Sequence, residues 1–199
     1  MIRPLSHVDV DRCEAIMRGL PEWFGLEEGI AEARGCLETQ HGFVAEEDGE
    51  VLGFLTCAAE LPESAEITWM AVAAGAHRRG LGRALVEALV SKAREEGREL
   101  LLVKTLADSD PSPEYAATRA FYRSMGFRPL AVLPDLWGPA NPCLLMVRPL
   151  RVSTLEADER TLVGVNHGRR RGDDMGDKGP GSKSKGKKQK GSKKKPSAG

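Results

Sequence analysis

The stretch AHRRGLGRALVEALV, residues 76–90, decides how the rest of the chain is interpreted. Apolar residues recur at every third or fourth position of its second half, which predicts an amphipathic helix over Leu81–Glu96. The apolar run WMAVAA, residues 69–74, predicts a strand that leads into the turn. A strand, a glycine-rich turn and a helix together favour a phosphate site, because the first N–H groups of a helix have no partner within it.

The composition of the turn is consistent with that interpretation. Gly80 and Gly82 leave the backbone open to a bulky anion, since neither carries a Cβ. Arg78, Arg79 and Arg83 add positive charge. The turn matches neither the P-loop nor the three-glycine dinucleotide fingerprint. The residues alone therefore leave two interpretations open, a phosphate-binding turn and an ordinary helix start with solvated arginines.

Strand-like and helix-like segments alternate along the chain up to about residue 150. The predicted strands are Ile2–Leu5, Gly42–Glu47, Val51–Glu60, Glu66–Ala73, Leu100–Leu106, a strand from Ala131 onward, and Cys143–Val147. The other predicted helices are Val8–Phe24, Leu26–Thr39 and Pro113–Met125. The pair Asp48-Gly49 predicts a hairpin turn. This order predicts one α/β (α+β) domain over residues 1–150.

The formal net charge of zero conceals an uneven distribution of charge. Residues 1–168 carry 17 Lys or Arg against 26 Asp or Glu, whereas residues 169–199 carry 12 against 3. We therefore predict an acidic domain, a transition segment at 151–168 and a disordered Lys/Arg-rich tail at 169–199. Such a tail favours nonspecific contact with nucleic acid. Alternatively, the segment that starts at Met175 is a fusion unrelated to the domain.

Several classes of protein are disfavoured by the sequence. No apolar run approaches about 20 residues, so we expect no membrane span. The first residues lack the apolar core of a signal peptide, which favours a cytoplasmic location. The four cysteines show no CxxC spacing, so we expect reduced thiols and no metal.

Three stretches, in order along the chain, resemble the GNAT N-acetyltransferase superfamily. VAAGAHRRGLGRALV, residues 72–86, is similar to the loop that binds the acyl-CoA pyrophosphate, with His77 where the family has Gln or Arg. AEITWMAV, residues 65–72, resembles the preceding strand in the histone-acetylating branch, and AFYRSMGF, residues 120–127, resembles the late helix. The resemblance covers residues 2–150. It implies a GNAT fold: a central twisted mixed β-sheet of about seven strands flanked by about four helices, whose fourth and fifth strands splay apart to admit acetyl-CoA.

The resemblance also implies roles for particular residues. Tyr122 would be the acid that protonates the departing thiolate, and Glu66 the base for the amine. From the residues alone, Tyr122 is equally a packing residue, and Glu66 a solvated carboxylate with water chains in the role of the base. The implied cofactor-binding residues are Met70, Ala71, Val72, His77, Arg78, Arg79, Gly80, Leu81, Gly82, Arg83 and Tyr115. Tyr115 stands where the family often has Asn.

The resulting hypothesis is an N-acetyltransferase that moves the acetyl group of acetyl-CoA to a primary amine of a small molecule or protein, by direct attack in a ternary complex. The alternatives are a non-catalytic acyl-CoA-binding module, and a protein whose main role is nucleic-acid or ribosome association through the tail. A homodimer also stays open. We expect acidic and aromatic residues to line the acceptor side: Trp23, Phe24, Glu27, Glu28, Asp135 and Trp137.

Overall fold

The computed structural model of this chain describes residues 1–150. The predictions for residues 151–168 and 169–199 lie outside the described part. The strands are β1 (Ile2–Pro4), β2 (His41–Glu47), β3 (Glu50–Ala58), β4 (Ser64–Val72), β5 (Leu100–Leu106), β6 (Arg128–Leu133) and β7 (Cys143–Pro149). The α-helices are α1 (Val10–Arg18), α2 (Glu27–Thr39), α3 (Leu81–Glu95) and α4 (Pro113–Ser124). Short 3-10 turns lie at His7–Asp9 and Ala74–Ala76.

The seven strands form one mixed sheet in the order β1-β2-β3-β4-β5-β7-β6. Strands β4 and β5 pair in parallel, and the other neighbours are antiparallel. The predicted sheet of about seven strands with about four helices is therefore confirmed. The predicted hairpin between β2 and β3 is also present: Asp48 and Gly49 both have positive φ, at 51° and 80°, as a tight two-residue hairpin turn requires.

The first predicted helix was too long. We predicted Val8–Phe24, but α1 ends at Arg18 and a turn follows over residues 21–23. We predicted the longer helix because apolar residues continue at helical spacing through Trp23 and Phe24. Pro21 disfavours helical backbone at the residue before it, so the helix stops early.

Helices cover both faces of the sheet, and each face has its own apolar core. The core under α3 and α4 contains Leu55, Leu85 and Phe127. The core under α1 and α2 contains Met17 and Phe54. Phe54 and Leu55 are neighbours on β3 and belong to different cores, because successive strand side chains point to opposite faces. Burial of each such side chain contributes about 1.5–3 kcal/mol.

Strands β4 and β5 are paired over only part of their length. The parallel ladder runs from Ser64–Leu100 to Ile67–Val103, while β4 continues to Val72 and β5 to Leu106. Beyond the last rung the two strands part, and we call this opening the strand split. The splayed strands that the family resemblance implied are thus present in the fold.

A β-bulge at Thr68 changes the faces of β4 just past the last rung. Thr56 pairs with Trp69 but the next β3 residue, Cys57, pairs with Ile67, so Thr68 is an extra residue. The bulge reverses the alternation: Met70 packs against the core under α3, as Ile67 does. The first and second halves of β4 therefore present their side chains out of phase.

All four cysteines are free thiols. Burial raises the pKa of each of them above its ordinary value, to about 12 for Cys13. Thiols with raised pKa values are weak nucleophiles at neutral pH. None of the helices in residues 1–150 is both long and apolar enough to span a membrane. Over the same residues, no three His, Cys, Asp or Glu side chains are grouped so that they could hold a metal ion.

Arg3 and Asp9 tie the first strand to the sheet. Arg3 donates to both carboxylate oxygens of Asp9 at 2.8 Å and to Glu46 on β2 at 2.6 Å. The backbone N–H of Ser6 donates to the same carboxylate at 2.9 Å. Asp9 is buried. The hydrogen bond from Arg3 lowers the pKa of Asp9 to about 2.

Asp9→Asn should lower the free energy of unfolding by about 2 kcal/mol at neutral pH, because the amide leaves Arg3 short of negative charge. A carboxylate with a lowered pKa stabilises the fold above its unfolded pKa. The difference in free energy of unfolding between the parent and Asp9→Asn should therefore shrink as pH falls from about 4 towards 2. Urea unfolding of both proteins at neutral and acidic pH measures this. Asp11→Asn is the control, because Asp11 is 90% exposed. Equal stability of parent and Asp9→Asn at neutral pH would contradict the prediction.

Candidate functional site

A cleft of about 710 Å³ opens between the end of β4, the start of α3 and helix α4. We call it the main cleft. It gathers most of the residues that the sequence singled out: Met70, Ala71, Val72, His77, Arg78, Gly80, Leu81, Gly82, Arg83 and Tyr122. Arg79 and Tyr115 are not among its lining residues. Its site residues thus come from a strand end, a turn and a distant helix.

The turn before α3 has the backbone of an anion site. Gly80, at the N-cap of α3, has a φ of 83°, and no side chain caps the helix. The first N–H groups of α3 are therefore available to a ligand. Arg78 also lies in the left-handed region, at a φ of 61°, a conformation that in non-glycine residues clusters at binding sites. Arg78 and Arg83 form no ion pair within residues 1–150, so their charge faces the cleft uncompensated. A phosphate group fits this turn.

Gly82 faces the space between β4 and α4. A Cβ built on it would lie 3.5 Å from the Phe121 ring and 3.8 Å from the Val72 side chain. These are ordinary contact distances, so one methyl group fits. A larger side chain would project into the main cleft.

His77 joins the turn to the end of β4. Its Nε2 donates a hydrogen bond to the Val72 carbonyl oxygen at 2.7 Å. Its ring also meets the edge of Trp23, with ring centroids 6.2 Å apart. His77 therefore lines the cleft and also holds the turn in place.

The two predicted cofactor residues outside the cleft have other partners. Arg79 forms an ion pair with Glu47 at the end of β2. The Tyr115 hydroxyl donates to the Trp23 carbonyl oxygen at 3.4 Å. The Trp23 indole N–H donates to Thr118 on α4 at 3.1 Å. Tyr115 thus holds the segment between α1 and α2 against α4.

Trp23 and Phe24, which we expected on the acceptor side, both line the main cleft. Phe24 also contacts Trp69, with ring centroids 6.1 Å apart. The early end of α1 turns this segment back over the sheet, and no local pattern in the sequence predicts that path.

Tyr122 lies at the buried end of the main cleft. Its residue is 5% exposed, and its ring packs edge-on against Phe121 and Phe127 at 5.3 and 5.4 Å. Burial raises the pKa of Tyr122 above its ordinary value. Its hydroxyl makes no hydrogen bond with any residue in the described part of the chain. The phenol therefore stays protonated at neutral pH and has a proton to donate.

A second cavity, of about 360 Å³, lies next to the main cleft along β4. Trp69 lines the second cavity, and Met70, the next residue, lines the main cleft. Other lining residues come from α2 and its C-terminal end, the β3–β4 loop, β4, β5 and the β6–β7 loop: Glu32, Cys36, Gln40, Glu60, Glu66, Thr68, Lys104 and Trp137. Of the residues expected on the acceptor side, Trp137 is here, whereas Glu27, Glu28 and Asp135 line neither space.

Glu66 is paired within the second cavity. Lys104 Nζ donates to Glu66 Oε1 at 2.7 Å and to Oε2 at 2.9 Å. The Glu66 side chain is 27% exposed and the Lys104 side chain 33%, so both remain accessible from the cavity. Lys104 directly follows Val103, the last β5 residue paired with β4. Lys104 was not among the predicted site residues. As the charged residue within the strand LLLVKTL, Lys104 offered the available signal.

The two spaces lie along adjoining residues of β4 and offer complementary chemistry. The main cleft has a helix start without a side-chain cap and a buried phenol. The second cavity has a carboxylate beside the same strand. This arrangement can hold two ligands on adjoining parts of β4, with a group from each close to the split.

Comparison with known proteins shows what this arrangement resembles. A family model described as an acetyltransferase (GNAT) domain matches residues 38–129. That span runs from the end of α2 to the start of β6 and includes the strand split, the turn and α4.

Solved structures of similar fold extend the likeness to the described part of the chain. A GNAT-family protein from Desulfovibrio desulfuricans matches with a TM-score of 0.67 and 22% identity, covering 76% of this chain and 99% of that one. An aminoglycoside 6′-N-acetyltransferase in complex with coenzyme A matches with a TM-score of 0.62 and 17% identity, over 76% and 98% of the two chains. The ribosomal-protein-alanine N-acetyltransferase from Brucella melitensis matches with a TM-score of 0.59 and 25% identity, over 75% and 99%.

Proposed function

Residues 38–129 match the family model of a GNAT acetyltransferase domain, and from that premise we propose that the chain moves the acetyl group of acetyl-CoA to the primary amine of a small molecule or protein. One observation carries the proposal. A cleft with an anion-binding turn and a second cavity with an accessible carboxylate are lined by adjoining residues of β4, Met70 and Trp69. Direct transfer needs both substrates bound at once on adjoining surfaces.

In this proposal the main cleft holds acetyl-CoA. The pyrophosphate lies at the turn, where Arg78, Arg83 and the first N–H groups of α3 supply positive charge. The pantetheine arm follows Met70–Val72 towards the split. Tyr122 then faces the thioester sulfur and donates a proton to the departing thiolate, whose ordinary conjugate-acid pKa is about 8.5.

The second cavity holds the amine, with Glu66 as its partner. An alkylamine has an ordinary pKa of about 10.4, so it arrives protonated and must lose a proton before it attacks. A carboxylate has about four lone-pair sites, and Lys104 occupies two of those on Glu66. Glu66 can therefore still accept the ammonium proton, directly or through a water molecule.

A non-catalytic acyl-CoA-binding module is the competing hypothesis. The presence of an acid and a base candidate beside the same strand supports the enzyme instead. To test it, the full-length protein would be mixed with acetyl-CoA and a panel of amines, and the released thiol measured. We expect amine-dependent thiol release. Tight binding of coenzyme A without thiol release on any amine would support the binding module.

Glu66→Gln should change the pH dependence of the reaction. Glutamine cannot accept the proton, so the rate with an alkylamine should fall by about 10²-fold or more near neutral pH. The loss should shrink at high pH, where more of the amine is already neutral. Rates from about pH 6 to 10 measure this, with Glu63→Gln as the control because Glu63 is exposed and outside the second cavity. Identical pH profiles for parent and Glu66→Gln would assign deprotonation to another group.

A further inference from the structure

Lys104 is a charged residue of the second cavity that the proposed reaction does not use. It stands one residue beyond the last β4–β5 rung, at the strand split. Its ammonium is held at 2.7 and 2.9 Å by the two oxygens of Glu66, which fixes its position. The side chain is one-third exposed to the cavity. A fixed cation therefore stands beside the proposed base, where the acceptor amine must arrive.

The ammonium of Lys104 has a donor left over. A lysine ammonium carries three N–H groups, and Glu66 accepts two of them. Within residues 1–150, Lys104 makes no other hydrogen bond or ion pair. The third N–H is thus available to an oxygen atom of a bound molecule. A ligand that places an oxygen close to its amine would engage both members of the pair.

The charge around the pair distinguishes between two kinds of oxygen. Glu32 and Glu60 also line the second cavity, and neither forms an ion pair within the described residues. With Glu66, three carboxylates and one lysine line the cavity. This excess of negative charge opposes a free carboxylate and does not oppose a neutral carbonyl group.

We propose that Glu66 and Lys104 together recognise an α-amine and its neighbouring carbonyl oxygen, as found in amino-acid amides and at the N-terminal residue of a peptide. Glu66 accepts from the ammonium, and Lys104 donates to the carbonyl oxygen. Lys104 is then the residue that sets specificity for this acceptor class. The inference rests on the proposed function, because it assigns the second cavity to the acceptor.

The test compares two acceptors that differ at the relevant group. Alaninamide has the carbonyl, and isopropylamine carries a methyl group in its place. In full-length enzyme, Lys104→Met should lower kcat/KM for alaninamide about 10–100-fold, the value of a hydrogen bond from a charged donor, and change kcat/KM for isopropylamine less than about threefold. Lys104→Arg should keep most of the alaninamide activity. The variant-to-parent ratio for each amine cancels the difference in basicity between the amines.

Lys92→Met is the matched control, because Lys92 lies on α3 outside both spaces and pairs with Glu96. The ratio of kcat/KM in Lys92→Met to that in the parent should stay near one for both amines. Free alanine is a third acceptor, which carries a carboxylate where alaninamide has a neutral carbonyl group. We expect the parent to have the higher kcat/KM for alaninamide.

Several outcomes would overturn the inference. Equal losses on alaninamide and isopropylamine in Lys104→Met would mean that Lys104 acts only by positioning Glu66. A gain on alaninamide would mean that Lys104 occupies the place of the acceptor ammonium. A parent enzyme with a higher kcat/KM for alanine than for alaninamide would contradict recognition of a neutral carbonyl group. Each of these leaves the proposed function intact, whereas a parent that releases no thiol with any amine contradicts both.

Discussion

Gly82→Val should bind coenzyme A about 10–100-fold more weakly than the parent, while its free energy of unfolding stays close to the parent value. Position 82 lies in the first turn of α3 and faces the gap between Val72 and Phe121. A Cβ is accommodated there at ordinary contact distances. The two methyl groups of valine would reach further, into space that the cofactor phosphates need. The substitution therefore weakens coenzyme A binding and leaves the free protein's stability nearly unchanged.

Isothermal titration with coenzyme A and urea unfolding measure the two quantities. Gly29→Val is the matched control. Gly29 is also an early helical glycine, in α2, and a Cβ on it would meet nothing within 4 Å. Gly82→Ala should fall between the parent and Gly82→Val. An unchanged dissociation constant in Gly82→Val would remove this turn from the cofactor site.

Tyr122→Phe should reduce the rate of acetyl transfer about 10–10³-fold, with little change in the affinity for coenzyme A. The substitution removes one oxygen atom, which no described residue hydrogen-bonds, and leaves the ring packed between Phe121 and Phe127. Burial raises the pKa of Tyr122, so the phenol stays protonated across the working pH range. The loss should therefore be nearly constant from about pH 6 to 9, in contrast to the loss in Glu66→Gln.

Single-turnover acetylation measures the chemical step even where product release limits steady-state turnover. The chain has two tyrosines, and Tyr115→Phe is the control because Tyr115 does not line the main cleft and its hydroxyl donates to the Trp23 carbonyl oxygen. A Tyr122→Phe rate equal to that of the parent would show that Tyr122 serves only in packing.

Local features of the fold were predictable from the sequence alone. The helix α3 follows from its apolar period, and its predicted bounds differ from the observed Leu81–Glu95 by one residue. Strand β5, at Leu100–Leu106, was predicted at its observed bounds. The hairpin at Asp48-Gly49 and the turn at Gly80 depend on backbone conformations that glycine favours. Each of these features is determined by residues close together in the chain.

The candidate site depended on more than local pattern. Nine of the eleven residues implied for the cofactor line the main cleft, because the turn and the end of β4 are continuous in sequence. Arg79 and Tyr115 do not line it. Their partners, Glu47 and Trp23, are 32 and 92 residues away. A side chain's direction within a turn or helix depends on such distant partners, which no local period reveals.

The sequence by itself therefore determined the order of the elements and the turn before α3, and its resemblance to a known family implied the candidate acid and base. The tertiary structure alone decided the bulge at Thr68, the path of Trp23 and the pairing of Glu66 with Lys104. The physical reason is that strand register and ion pairs join residues far apart in the chain. Their formation depends on how whole strands and helices pack, since a shift of one residue turns every side chain of a strand to the other face.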